Sequence, residues 1–201
     1  AAAGRNRRLI LNPDNRGFAA ANNQGLAAAD GEYLVLLNND THVTPGWIAT
    51  LLAHLRQSKT LGMIGRVTNN IGNEARIDIS YDDMDGMLHA ASNYTTRHAG
   101  QLTPLRTAAF FCVMLSRTVY EKVGPLDETF GIGFFEDDDY CRRVEQAGWS
   151  IACADDVFVH HNLSASFNKL KQETRQALFE QNKLLYEKKW GAWSPHIYRG
   201  N

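Results

Sequence analysis

The sequence predicts an α/β domain in which a mostly parallel sheet is flanked by helices. Short apolar runs alternate along the chain with segments of helical spacing, which is the pattern of a doubly wound sheet. One run, Tyr33–Leu37, is apolar at every position, as expected of a strand covered on both faces. The 201 residues, 44% hydrophobic and 21% charged, suffice to bury a core, so a single domain over 1–201 is expected, with its core at 9–167 and a C-terminal helix at 169–191.

Arg8–Asn12 reads as a short buried strand stopped by Pro13, and Phe18–Ala29 as a helix ended by Asp30-Gly31. After Tyr33–Leu37 come the turn residues Asn38, Asn39 and Asp40. Pro45 opens a helix whose Trp47, Ile48, Leu51, Leu52 and Leu55 keep helical spacing, with His54 expected to be partly exposed. Leu61–Val67 returns as a strand. From Thr68 to Thr103 the pattern weakens, with a helix at Met84–Ser92 and loop elsewhere. Phe110–Leu115 is a strand, Arg117–Val123 a helical turn, and Phe134–Ala147 a helix stopped by Gly148. Ser150–His161 forms a last strand, and Lys169–Lys189 a long helix with Leu178, Leu185 and Trp190 among its apolar contacts. A nucleotide-binding α/β domain normally opens with a strand and a phosphate- or base-binding turn. Here the first strand leads into the helix before the acidic strand end, so the domain is expected to be N-terminally incomplete, lacking a βαβ segment.

Composition narrows the function. Lys and Arg number 21 against 22 acids, for a net charge of −1, which supplies no field for nucleic acid. No apolar run approaches the roughly 20 residues needed to cross a bilayer. The first eight residues, Ala-Ala-Ala-Gly-Arg-Asn-Arg-Arg, lack the apolar core of a secretory signal. The three cysteines, Cys112, Cys141 and Cys153, form no CxxC pair and are expected to be buried, reduced thiols of an intracellular protein.

Three clusters carry candidate chemistry: Asn38-Asn39-Asp40-Thr41, Glu136-Asp137-Asp138-Asp139 and His160-His161. Ligand sites in open sheets form at the carboxyl ends of strands, which places Asp40 and His160 well. Carboxylate plus imidazole suits a manganese-like divalent cation, although Asn and Asp also favour plain turns. Acids in a first helical turn are favoured by the helix dipole at about 0.3–1 kcal/mol each, without any function. Spacing separates them, however: Asp137 shares the apolar face of Tyr140, Cys141 and Val144, while Asp138 is expected to face solvent. An acid on a buried face is costly unless paired or used. His160 and His161 alternate across the strand, so at most one of the two faces a site. Arg142 and Arg143 could meet a diphosphate or pair with Glu136 or Asp139, and the other histidines, His196 included, show no recognisable spacing.

Asn15–Phe18, Asn23–Gly25 and Gly31–Asp40, followed by Gly124–Glu128, Phe135–Arg143 and Val157–His160, resemble in order the family 2 glycosyltransferases of GT-A fold. Asn182 and Lys189–Gly191 resemble that family's closing helix, so the likeness spans Leu9 to Gly191. The nearest flavour is the bacterial enzymes of O-antigen and related surface-polysaccharide assembly, often set in longer polypeptides. The resemblance implies a GT-A, nucleotide-diphospho-sugar transferase-like fold and an inverting hexosyl- or deoxyhexosyltransferase. Its acceptor would be a hydroxyl of a glycan or lipid-linked saccharide. It further implies Mn2+ or Mg2+ held by Asp40 and His160, the donor held by Asn38, Asn39, Asp40, Gly17 and Asn23, and Asp137 of the Glu136-Asp137 motif as base. The implied location is the cytoplasm, including the inner face of the membrane.

Two departures stand out: Asn38 replaces the first aspartate of the family's metal motif, and the family's opening strands have no counterpart. The alternatives are a catalytically silent glycan-binding or scaffold module of the same fold and a metal-dependent phosphohydrolase. Acceptor choice is expected to lie in Thr68–Thr103.

Overall fold

The computed structural model describes residues 7–162 and 172–199. Its elements run α1 (Phe18–Ala28), β1 (Tyr33–Leu37), β2 (Thr41–Val43), α2 (Trp47–Gln57), β3 (Leu61–Val67), α3 (Met84–Arg97), β4 (Leu102–Pro104), β5 (Cys112–Ser116), α4 (Arg117–Val123), a 3-10 turn (Glu128–Phe130), α5 (Glu136–Gln146), β6 (Ser150–His161) and α6 (Gln172–Trp190). The expected start of the last helix at Lys169 lies outside the described residues.

The sheet runs β1-β5-β3-β6-β2, with β4 also on β6. The α/β architecture is as expected, but the mostly parallel sheet is corrected to a mixed one: β3–β6 is its parallel pair, and β1–β5, β3–β5, β4–β6 and β2–β6 are antiparallel. Period-2 alternation sorts side chains to two faces. Leu34, Leu36, Met63, Val113, Leu115 and Cys153 face α1, α3, α4 and α5, while Val35, Ile64, Met114 and Ala152 face α2. β3, buried at all seven positions, is the covered centre. β1 instead alternates in burial and lies at the border of the sheet, and its Leu37 is exposed.

The buried strand expected at Arg8–Asn12 does not form. Leu9 and Leu11 are about four-fifths exposed, because no strand lies beyond β1 to receive them among the described residues. Met84–Ser92 proves to be the first part of a longer helix. Asp83 caps it at Gly86 N (2.7 Å), and Tyr94 stacked on His98 (centroids 4.0 Å apart) secures its end. α6 packs through Asn182 and Tyr186, leaving Leu185 exposed rather than in contact. His54 is buried, its Nε2 between the two oxygens of Asp156 at 2.8 and 3.0 Å.

β6 is the element that builds the site. Its register against β3 skips from Ala154 to Phe158, a bulge that lets Asp155 and Asp156 leave an otherwise apolar strand. Beyond the bulge its last residues pair with β2, Thr41 opposite His161 and His42 opposite His160.

Candidate active site

The Asn38–Asp40 turn is pinned at both ends. Asn38 N donates to Phe111 O (2.8 Å) and Asn162 N to Asp40 O (2.9 Å), which carries the turn from the head of β5 to the tail of β6. Thr41 Oγ1 donates to Asn38 O at 2.8 Å, and Asn39 is exposed. The Asp40 carboxylate consequently faces His161, with Oδ1 3.6 Å from Nε2.

The imidazole is held from every side. Asn69 accepts from His161 N (2.8 Å) and donates to His161 O (3.3 Å), while His161 Nδ1 lies 3.3 Å from the carbonyl of Asn70. A carbonyl only accepts, so Nδ1 carries the hydrogen and Nε2 presents a lone pair. Burial lowers the His161 pKa, outweighing the charge of Asp40, so the ring is held neutral. The ring stacks on Phe111 (centroids 4.0 Å apart, 7° between planes), and the Arg66 guanidinium lies 3.3 Å from the centre of the same ring. One face cannot hold both, so Phe111 is sandwiched between cation and imidazole.

Asp40 Oδ1 is buried with no hydrogen-bond partner among the described residues. Two lone-pair atoms, a carboxylate oxygen and a neutral imidazole nitrogen, thus face each other across 3.6 Å. Left alone, that arrangement is unfavourable, and a divalent cation satisfies both donors. Oxygen plus imidazole nitrogen suits Mn2+, and both donors can reach one ion at bonds of roughly 2.0–2.2 Å. Among the described residues no third Asp, Glu, His or Cys joins them.

His160, matched by resemblance to the metal ligand, is placed on the other side of β6. Tyr81 OH donates to its Nδ1, its Nε2 lies 2.8 Å from Asn162 Oδ1, and its ring tilts against His42 at 5.7 Å. Both ring nitrogens are taken, so the structure brings Asp40 together with His161 and not with His160. Strand alternation allowed either histidine, and the register of β2 with the Asn69-Asn70 clamp sets His161 against Asp40.

The acidic turn follows two bulky residues in left-handed backbone, Phe134 and Phe135, both at φ 72. Such residues cost on the order of 1–3 kcal/mol each. Asn182 holds this approach by donating to Phe130 O and Gly133 O, both at 2.7 Å, and Phe135 packs among Phe179, Tyr186 and Trp193.

Each acid of the turn has its own surroundings. Asp139 is fully buried and receives Arg143 Nε (2.9 Å), Trp190 Nε1 (2.8 Å) and Lys189 Nζ (2.6 Å), which makes it a structural anchor. Asp138, expected toward solvent, is also buried: its Oδ1 accepts from Thr107 Oγ1 (2.9 Å) and lies 3.2 Å from His196 Nε2. The segment before β5 and the chain after α6 cover a face that the helix alone would leave open. Glu136 is buried with Oε2 unpartnered among the described residues. Burial, helped by the charge of Asp138, pushes its carboxyl up to about 7. Asp137, expected on the buried face, is instead half-buried and the most accessible of the four. Desolvation and the charges of Glu136 and Asp138 raise it well above the ordinary carboxylate range. Arg143 pairs with Asp139 as one sequence reading allowed, whereas Arg142 turns to Glu145 (3.4 Å).

Residues 107–111 link the two clusters. Thr107 holds Asp138, Ala108 N donates to Cys141 Sγ (3.3 Å), Phe110 packs edge-on to Tyr140, and Phe111 carries the His161 ring. Four Cα–Cα steps span at most about 14 Å.

Gly17 and Asn23, matched to donor binding, make their contacts with the loop that follows α4. Gly17 sits at φ +83 so close to the next loop that a Cβ would meet Gly131 O at 2.2 Å. Asn23 uses its whole amide on Leu126 N, Leu126 O and Glu128. Sequence reading missed Asn69, Asn70, Thr107, Phe111 and His196, which meet their partners across 31 to 92 residues of chain, or through a histidine with no spacing to single it out. All three cysteines are buried, and desolvation pushes Cys112 up to about 11 and Cys153 up to about 12, which marks inert thiols.

A sequence model of Glycosyl transferase family 2 matches residues 1–124, more than half of the chain. The chain belongs to glycosyltransferase family 2. The matched span holds the Asp40 turn, while the acidic turn and His161 lie beyond it. Relatives include "Uncharacterized protein y4gI" of Sinorhizobium fredii, 27% identical across 93% of this chain and 22% of that protein. The "Pre-mycofactocin glycosyltransferase" of Mycobacterium tuberculosis is 28% identical across 70% of this chain and 29% of its own length. The chain therefore spans less than a third of the curated relatives it matches. The mannosyltransferase PcManGT from Pyrobaculum calidifontis, solved in complex with GDP-Man and Mn2+, superposes at TM-score 0.60 over 94% of this chain and 48% of its own, at 16% identity. GalNAc-T7 with UDP, GalNAc and Mn2+ superposes at 0.53 over 75% of this chain and 31% of its own, at 17% identity. The fold of this family 2 chain is thus GT-A-like, with a mixed sheet flanked by helices.

Proposed function

We propose that residues 1–201 form one glycosyltransferase domain that moves a hexosyl or deoxyhexosyl group from a nucleoside-diphosphate donor to a hydroxyl of a glycan or lipid-linked acceptor. Configuration is inverted, and the product belongs to cell-surface polysaccharide assembled on the cytoplasmic side of the membrane. The observation that carries the reading is the facing pair of acceptors, Asp40 Oδ1 and the neutral Nε2 of His161, linked through residues 107–111 to the acidic turn that carries Asp137. The ligands bound in the two similar structures, UDP or GDP-Man with Mn2+, support a nucleotide-sugar donor and a divalent ion.

Asp40 and His161 are the residues that would hold Mn2+ or Mg2+. Held there, such an ion would supply neutralisation of the charge on a departing diphosphate. Asn38 and Asn39 line the same turn and offer amides to the donor. Asp137, the least buried acid, takes the proton from the acceptor hydroxyl, a step that typically contributes 10²–10⁴-fold. Its raised pKa brings it toward the range in which a base works at neutral pH. Glu136, buried behind it, has no access to an anomeric carbon, so no second carboxylate offers the covalent intermediate that retention requires.

The test is transfer from a panel of UDP-, GDP- and dTDP-sugars to saccharide acceptors with Mn2+ present, alongside calorimetry of donor binding. Asp137→Asn is expected to abolish transfer while donor binding survives. Unchanged turnover in that variant would remove Asp137 as base, and silence of the native chain toward every nucleotide would favour a binding module.

A further inference from the structure

The chain leaving α6 turns back across the acidic turn of α5. Arg106 Nη2 donates to Ser194 O (2.6 Å) and Pro195 O (3.3 Å) and lies 3.4 Å from His196 Nδ1. His196 Nε2 is 3.2 Å from Asp138 Oδ1, the oxygen already bonded by Thr107. A guanidinium only donates, so in the neutral ring Nδ1 accepts and Nε2 carries the hydrogen aimed at Asp138; protonation gives up the Arg106 bond and keeps the one to Asp138. Trp193 packs edge-on to Phe135 and Phe179, at 5.4 and 5.8 Å, and Arg199 reaches Asp155 at 2.5 Å and the carbonyl of Glu74. Residues 193–199 are thereby fastened along the same edge as the acids.

Those acids oppose one another. Glu136, Asp137 and Asp138 share a desolvated turn, and the arginines of their own helix serve Glu145 and Asp139 instead. His196 brings them a group able to carry positive charge from outside the helix. Facing it are Asp138 and Asp137 from α5, Arg106 from the segment between β4 and β5, and Trp193 from its own stretch, while Tyr186 of α6 looks onto the same acids. Burial and the Arg106 charge oppose its cation, yet the bond to Asp138 and the two carboxylate charges prevail and raise its pKa.

We propose that residues 193–199 are a latch over the acidic turn, and that His196, acting through Asp138, is a positioning residue that holds Asp137 in place and able to ionise. The proposal rests on Asp137 being the base. With the latch open, water enters around Asp138 and the first turn of α5 loses its outer support. With His196 replaced by a neutral group, Asp137 ionises only at higher pH, because an opposite charge nearby is what favours a carboxylate.

The experiment compares native protein, His196→Ala, His196→Lys and the control His89→Ala, an exposed residue of α3. Amide exchange is followed at pH 6 over residues 136–139 and 193–199, and kcat/KM is followed from pH 5.5 to 9. His196→Ala is expected to speed exchange about tenfold or more in both stretches. It is also expected to lower kcat/KM about tenfold at pH 6 and less than about threefold at pH 8.5, moving the acid limb upward. His196→Lys restores the acid limb, and His89→Ala changes neither readout. Unchanged exchange in His196→Ala, or an equal loss at every pH that lysine fails to rescue, overturns the proposal. If the native chain transfers no sugar, the reading of Asp137 as base fails, and the exchange readout still decides whether the latch exists.

Discussion

Replacing Glu136 with Gln tests the electrostatics of the acidic turn through stability alone. Burial lifts this carboxyl from its ordinary 4.5 to about 7, a gap of about 2.5 pH units. At 1.36 kcal/mol per unit, that corresponds to about 3 kcal/mol. The sign follows from which state binds more protons. A carboxyl raised on folding keeps its proton longer in the native state, so its stabilising effect is complete below pH 4.5 and is lost as pH rises through 7. Glu136→Gln cannot ionise and escapes that loss. Urea unfolding of native and variant protein at pH 4 and pH 8.5 should therefore show the variant gaining about 3 kcal/mol on the native chain between the two conditions. A difference that stays within about 0.5 kcal/mol across that range would refute the argument. It would mean that the unpartnered Oε2 finds a cation or water able to keep the carboxylate charged.

Asp139→Asn is expected to cost about 3–5 kcal/mol in the same assay, because Arg143 and Lys189 then meet an uncharged partner in a buried setting; a cost below 1 kcal/mol would contradict the anchoring role. Asn182→Ala strands the buried carbonyls of Phe130 and Gly133 and should cost about 2–5 kcal/mol by thermal or urea unfolding. Asn69→Ala frees the backbone of His161 and should weaken Mn2+ binding, measured calorimetrically, by about 10–100-fold. An unchanged Kd would show that His161 is oriented by stacking on Phe111 alone.

Strands and helices with a strong local pattern were legible. Leu61–Val67, Arg117–Val123 and Ser150–His161 form as read. What escaped depends on partners distant in sequence. β2 and β4 are three residues each and exist only because β6 offers them an edge. Leu9–Leu11 has a strand's composition and pairs with no strand among the described residues. The extension of α3 past Ser92 runs through Thr95 and Thr96, poor helix formers whose cost is offset by Thr95 Oγ1 bonding to Ala91 O. At the site, the strand end marked the Asp40 turn, whereas helical spacing ranked the acids of α5 the wrong way round, Asp138 being buried and Asp137 the more accessible. The burial of Asp138 was not legible, since the groups that bury it, Thr107 and His196, lie 31 and 58 positions away. Parity along β6 identified two histidines and left the choice to cross-strand register, a property of the assembled sheet.

The border position of β1, which pairs with β5 alone among the described strands and ends in the exposed Leu37, constrains how this polypeptide behaves in a test tube. Free main-chain amides flanked by aliphatic side chains template strand addition from any neighbouring molecule. Titrations and kinetics on the isolated chain therefore belong at low micromolar protein, where collisions along that rim are rare and a signal reports the cleft rather than self-association.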